Sequence, residues 1–184
     1  MKASEHVILV DLLDNEIGYS EKLFAHQYNL LHRAFSIFIF RKTQPFELLL
    51  QQRALNKYHS PGLWSNTCCS HPRAQENILA AGQRRLSEEL NIATVLQNLG
   101  WFHYNVDFLD GLTENEIDHV LFGVVATEIS VTPNPAEVNN YRWITLEGLE
   151  DEMAIFPNRF TPWLKQALKI VKSCPLLNTD AQIF

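Results

Sequence analysis

Residues 77–90 read NILAAGQRRLSEEL, and this stretch decides the class of fold. Ile78, Leu79, Leu86 and Leu90 form an apolar face at helical spacing, with arginines and glutamates opposite. Asn91 follows, a residue that tolerates the left-handed backbone on which helices commonly end. Arg84–Glu88 and Arg85–Glu89 stand at the i,i+4 spacing of surface ion pairs. Outward from this helix the sequence turns to strands. HVILVDL (6–12) and AFSIFIF (34–40) are short, β-branched or aromatic, and bounded by polar residues. RKTQP (41–45), ahead of FELLLQQR (46–53), reads as the turn of a hairpin. On the far side come NLGWFHYNVDF (98–108) and NEIDHVLFGVVATEI (115–129), joined by the turn LDGLTE (109–114), then VNNYRWITL (138–146). FTPWLKQALKIVK (160–172) reads as a closing helix, with Thr161 as N-cap and Pro162 at the first helical position. Strands, one long helix, more strands and a final helix predict an α+β sandwich, without the regular alternation of a doubly wound sheet.

The 184 residues suffice for one domain with a full core, expected to span residues 1–184. A 46% hydrophobic and 20% charged composition is that of an ordinary globular chain. The apolar runs are strand-length, too short to cross a bilayer, and MKASEHVILVD lacks a signal-peptide pattern. The expectation is a cytoplasmic monomer without a membrane partner. A net charge of −6 disfavours nucleic acid, and an anionic substrate would need a local cationic pocket. Of three cysteines, Cys68 and Cys69 are neighbours ill-suited to an ordinary mutual disulfide and Cys174 stands alone, so reduced thiols are expected.

WSNTCCSHP (64–72) is the densest cluster of chemically capable side chains. It reads either as a metal or nucleophile site, or as a buried loop of small soft residues. In TENEID (113–118), an extended backbone puts Glu114, Glu116 and Asp118 on one face. That is either a solvated edge strand or a carboxylate set held by a divalent cation where the strand enters the core. Among seven histidines, His26 and His32 flank QYNLL and His71 closes the cysteine loop. Three imidazoles with two carboxylates would suit Mn²⁺, Mg²⁺ or Zn²⁺, but spacing alone does not bring them together.

Residues 70–92 match most of the Nudix box, G-x5-E-x7-R-E-U-x-E-E-x-G-U. Ser70 stands at the first Gly, Glu76 and Arg84 match, and Arg85 replaces the next Glu. Glu88 and Glu89 are kept, Asn91 replaces the last Gly, and Ile92 is the final apolar residue. Together with LHRAFSIFIF, LLLQQRALNKYHSPGLWSNTCCSHP, TENEIDHV and FTPW, the chain resembles type 1 isopentenyl-diphosphate Δ-isomerase from about Glu5 to Leu168.

That resemblance implies a Nudix-like α/β/α sandwich with a mixed sheet, its C-terminal helix (about 160–172) closing the active site. It implies interconversion of isopentenyl and dimethylallyl diphosphate, with a Nudix-type diphosphate hydrolase as the alternative. Arg85 at a ligand position and the Cys69/Glu116 pair weigh against hydrolysis. By the same resemblance Cys69, Glu116 and Tyr104 are catalytic, and Cys68 occupies a variable position. His26, His32, His71, Glu114 and Glu116 would hold one metal, and Glu89 a Mg²⁺ that bridges to the diphosphate. Lys22, Arg53, Lys57 and Arg85 would grip the diphosphate, and Trp163 would lie over the reacting carbons. His26 and His32 are six apart, one residue closer than the family's form. Nearby cationic groups are expected to lower the Cys69 thiol from about 8.5.

Overall fold

A computed structural model describes residues 5–57, 59–108 and 111–177. Its centre is the strand β3 (His32–Arg41), whose residues from Ala34 to Phe40 are all buried. An apolar run of this kind requires cover on both faces of the sheet. Phe35, Ile37 and Ile39 face one side, where they pack with Leu86 and Leu90 of α2 (Ile78–Leu90). Phe38 and Phe40 face the other, packing with Leu149 of α3 (Leu146–Ile155) and Leu164, Leu168 and Val171 of α4 (Leu164–Lys172). The architecture is therefore an α/β/α sandwich.

The sheet is mixed. β3 pairs parallel with β8 (Thr113–Val125) over His32↔Glu116 to Arg41↔Val125, and β7 (Gln97–Asp107) pairs antiparallel with β8. Along its other edge β3 meets three partners in turn. β1 (His6–Val10) pairs at Leu9↔His32, and β6 (Cys68–Ser70) pairs over Phe35↔Ser70 to Ile37↔Cys68. β4 (Glu47–Arg53) pairs at Phe40↔Leu48 and Arg41↔Glu47, the expected hairpin. β2 (Glu16–Glu21) flanks β1, while β5 (Trp64–Ser65) and β9 (Val138–Thr145) pair with β4.

The box helix runs as read. The Asn77 side chain caps it by accepting from Leu79 N–H, and Asn91 ends it at φ 55. Gly82 lets it lie close to the sheet, since a Cβ there would stand 2.7 Å from Leu121 Cδ1. The last helix starts later than read. Phe160 bridges Trp64, and the Thr161 hydroxyl meets Ser65 Oγ at 3.0 Å instead of capping. The helix then begins at Leu164, with Trp163 at the cap position. Two helices escape the periodic reading. α1 (Lys22–Gln27) has six residues capped by the Glu21 carboxylate, and α3 buries only Leu149. The TENEID carboxylates lie on an inner strand, so the solvated-edge alternative falls. Among the described residues no helix is long and apolar enough to cross a membrane.

Candidate active site and metal centre

Register builds the centre. Glu116 on β8 sits opposite His32 on β3 and opposite Tyr104 on β7, so neighbouring strands deliver three functional groups to one level. His71 follows β6, and His26 lies near the end of α1. The short His26–His32 spacing closes through a tight turn, in which Asn29 takes φ 52 and Leu30 N–H donates to Ala25 O. The two rings end with centroids 4.8 Å apart.

One ligand atom each from His26, His32, His71 and Glu116 lies within 4.8 Å of the others. Backbone carbonyls set the tautomers. His26 Nδ1 lies 2.7 Å from Lys22 O and His32 Nδ1 2.8 Å from Leu30 O, which assigns their protons to Nδ1. The His32 Nε2 lone pair then faces His71 Nε2 at 3.2 Å and Glu116 Oε1 at 3.4 Å. Glu116 Oε1 also lies 3.1 Å from His71 Nε2. His71 Nδ1 is buried without a hydrogen-bond partner among the described residues. Imidazole nitrogens converging on a carboxylate, with the outer nitrogens of His26 and His32 on carbonyls, form a donor set that fits a divalent cation.

Burial, then the neighbouring His32 charge, lowers His26 to about 4, and burial holds His71 well below the usual histidine range. Burial works to raise Glu116, yet the His32 and His71 rings set against its carboxylate, His71 at hydrogen-bond distance, hold it well below the carboxylate range. The histidine share of acid stability has a definite sign. Histidines depressed in the fold bind fewer protons there than in the unfolded chain between about pH 6.5 and 4. Their share of the metal-free protein's stability is therefore lost as pH falls through that window, while the raised carboxyls of Glu114 and Asp118 contribute with the opposite sign. Melting curves in chelator for the wild type and His26→Ala separate the histidine share, and identical pH profiles of the two would contradict a His26 depressed to about 4.

Glu114 stands apart from the four converging donors. It is 3% exposed, and its Oε1 lies 2.6 Å from His59 Nε2. Burial, then the charge of Glu116, raises its carboxyl well above the ordinary range. His59 enters from the loop after β4, and its position among Gly-, Pro- and Ser-containing sequence carries no signal of this contact.

The two cysteines separate by strand alternation. Cys68 is fully buried in the core beneath α2, whereas Cys69 is partly exposed and lines the pocket with Glu116, Asp118 and Trp163. The expected acid shift of Cys69 is absent. Burial, then the Asp118 carboxylate, pushes its thiol up to about 12, so the resting group is protonated. Ser36 Oγ lies 3.6 Å from Cys69 Sγ and donates to Asp118 Oδ2 at 2.8 Å. Asn66, fully buried, is a further contact that spacing did not single out. Its Nδ2 donates to Ile37 O and Cys68 O, which turns Oδ1 toward Cys69 Sγ at 3.0 Å and Trp163 Nε1 at 3.1 Å. The thiol and the indole are thus fixed by one carbonyl oxygen.

Trp163 also has the Arg53 guanidinium over its ring at 5.5 Å and the Tyr104 ring edge-on at 6.2 Å. The Tyr104 hydroxyl has no hydrogen-bond partner among the described residues. Burial, then the Glu114 and Glu116 charges, pushes it upward, which keeps it protonated. Lys22, Arg53, Lys57 and Arg85 all line this inner pocket, which encloses about 60 Å³. Lys22, Lys57 and Arg85 continue into an outer cleft of about 890 Å³. There Lys22 pairs with Glu5, while Lys57 and Arg85 pair with Glu137. Glu89 lies outside both linings, ion-paired with Arg85 and accepting from Gln51.

Residues 30–164 match the NUDIX domain family. The isopentenyl-diphosphate Delta-isomerase of Photobacterium profundum is 45% identical over 174 residues, covering 93% of this chain and 96% of that protein. The protein of that name from Burkholderia multivorans is 48% identical over 86% of this chain and 88% of its own length. Among solved structures, DR0079 of Deinococcus radiodurans superposes with a TM-score of 0.71, covering 90% of this chain and 99% of its own. A MutT NUDIX hydrolase of Burkholderia pseudomallei has a TM-score of 0.59, covering 77% of this chain and 98% of its own. At 16% and 20% identity these two likenesses speak for the fold alone.

Proposed function

The chain belongs to the Nudix family, in its isopentenyl-diphosphate Δ-isomerase branch, and from that membership we propose that Cys69 and Glu116 move the protons of the reaction. The enzyme interconverts isopentenyl and dimethylallyl diphosphate, a 1,3-shift of one proton. Toward dimethylallyl diphosphate, a proton adds to C4 and a tertiary cation forms at C3. Loss of a C2 proton then places the double bond between C2 and C3. An alkene is a very weak base, so the donor must be strong and water excluded.

In this reading Glu116, with Tyr104 beside it, protonates C4, and Cys69 takes the C2 proton. A protonated Cys69 beside an ionised Glu116 is the state in which that turnover ends and the reverse one begins. The observation that carries the reading is a thiol and a carboxylate lining one pocket under an indole. His26, His32, His71, Glu114 and Glu116 would hold Mn²⁺, Mg²⁺ or Zn²⁺, whose charge offsets the repulsion between two buried carboxylates. Glu89 would serve a Mg²⁺ at the diphosphate, with Lys22, Arg53, Lys57 and Arg85 gripping the phosphates. We read the working form as a cytoplasmic monomer, one domain over residues 1–184 closed by the C-terminal helix, without nucleic-acid or membrane partners.

Incubation with isopentenyl diphosphate and a divalent metal should yield dimethylallyl diphosphate. Release of phosphate without isomer would instead favour the hydrolase reading. That alternative is weakened by Arg85, which puts a counter-ion of Glu88 and Glu89 where the box has a carboxylate.

Trp163 faces a simple comparison. Trp163→Phe should keep more activity than Trp163→Ala, because phenyl retains a weaker π face for the C3 cation. A loss of about 2 kcal/mol in transition-state stabilisation would lower the rate roughly thirty-fold. Melting temperature is measured alongside, since Trp163 also packs in the core with α4. Equal activity of Phe and Ala at unchanged melting temperature would remove the indole from the chemistry.

A further inference from the structure

The two oxygens of Glu114 meet different surroundings. Oε1 lies 2.6 Å from His59 Nε2, while Oε2 is buried without a hydrogen-bond partner among the described residues. The His59 ring itself is held on several sides. It stacks near His26 at 5.9 Å and Phe108 at 5.6 Å, and meets Trp163 edge-on at 6.3 Å. Its backbone carbonyl accepts from Arg53 Nη2 at 3.1 Å, and Ser60 after it takes φ 48. A ring enclosed in this way fixes the carboxylate it touches.

We propose that His59 is a positioning residue of the metal centre: its Nε2–H holds Glu114 through Oε1 and leaves Oε2 as the oxygen offered to the cation. The inference rests on Glu114 being a metal ligand, as read above. Its chemistry is that of an outer donor on a ligating carboxylate, which sets the orientation of the ligand and takes one oxygen out of the competition for the metal. Glu114 and Glu116 share one face of β8 with their carboxylates close together. Without the His59 donor, both oxygens of Glu114 would be free to rotate toward the ion or toward any other donor within reach. The imidazole makes the carboxylate a one-oxygen ligand in a set direction.

The test is Mn²⁺ affinity of the metal-stripped protein without substrate, read from the free-ion electron paramagnetic resonance signal. His59→Phe keeps a ring for Phe108 and Trp163 but removes the donor, and should weaken Mn²⁺ binding roughly 10- to 100-fold. His59→Gln restores an N–H donor and should bind more tightly than His59→Phe. Glu114→Gln is the control on the underlying reading, and melting curves verify folding of each variant. If Phe is not accommodated, His59→Ala takes its place in the comparison with Gln. Wild-type affinity in His59→Phe, with Glu114→Gln weakened, would overturn the role of His59 alone. Wild-type affinity in Glu114→Gln, or absence of Mn²⁺ binding by the wild type, would overturn the ligand assignment and the inference with it.

Discussion

Cys69→Ala should abolish isomerase turnover, while Cys68→Ala should keep most of it. Alternation along β6 sends the two thiols to opposite faces. Cys68 Sγ goes into the core with Leu86 and Leu90, and Cys69 Sγ into the pocket with Glu116. Loss of a proton-transfer group costs about 10²- to 10⁴-fold, whereas loss of the Cys68 sulfur leaves only a small void under α2. The pH dependence of alkylation adds a second reading of the same residue. A thiol pushed up to about 12 should react slowly near neutrality, with a rate still rising above pH 10. An unperturbed thiol would level off above about 8.5. Bound substrate should protect against alkylation. A dead Cys68→Ala beside an active Cys69→Ala would reverse the assignment.

The fold was legible where burial is two-sided or periodic. AFSIFIF reads as a buried strand because helices cover both of its faces, and the box helix carries its stop signal at Asn91. The short α1 and the sparsely buried α3 leave too little periodicity to register. At the closing helix, Thr161 followed by Pro162 has the composition of a cap, but the hydroxyl is taken by Ser65, a residue far away in sequence. Tertiary contact overrode the local signal there. The same limit applies to the site. Residue types in TENEID and CCSHP pointed to carboxylate and thiol chemistry, but only the parallel pairing of β3 with β8 brings Glu116 to His32. The cationic lining also suggested an acidic thiol, whereas burial, then the carboxylate of Asp118 on β8 across β3, outweighs Arg53 in the opposite direction. His59 and Asn66 act through contacts across the fold, with Glu114 and with Trp163, that no spacing encodes.

Stripping divalent metal with a chelator should remove activity, and His71→Ala should lower the metal content of the purified protein. His26, His32, His71 and Glu116 present donor atoms within 4.8 Å of one another, in a region where protonation of His26 and His71 is disfavoured by burial. A site of that kind gains little from protons and much from a cation. The loss on chelation therefore has two components, one chemical and one of stability, and they separate experimentally. Bound metal stabilises the folded chain by about 2.7 kcal/mol when present at 100 times its Kd. If the ion only staples α1, β3, β6 and β8 together, activity should return with folding, for instance in a stabilising osmolyte without metal. If it also sets the charge on Glu116, the osmolyte should restore the melting temperature but not turnover, and only a divalent ion should restore both. The second outcome is expected, because Glu116 lies within 3.4 Å of both His32 and His71 Nε2 and is itself the group assigned to C4. Full turnover after verified removal of metal would separate the histidine cluster from the chemistry altogether.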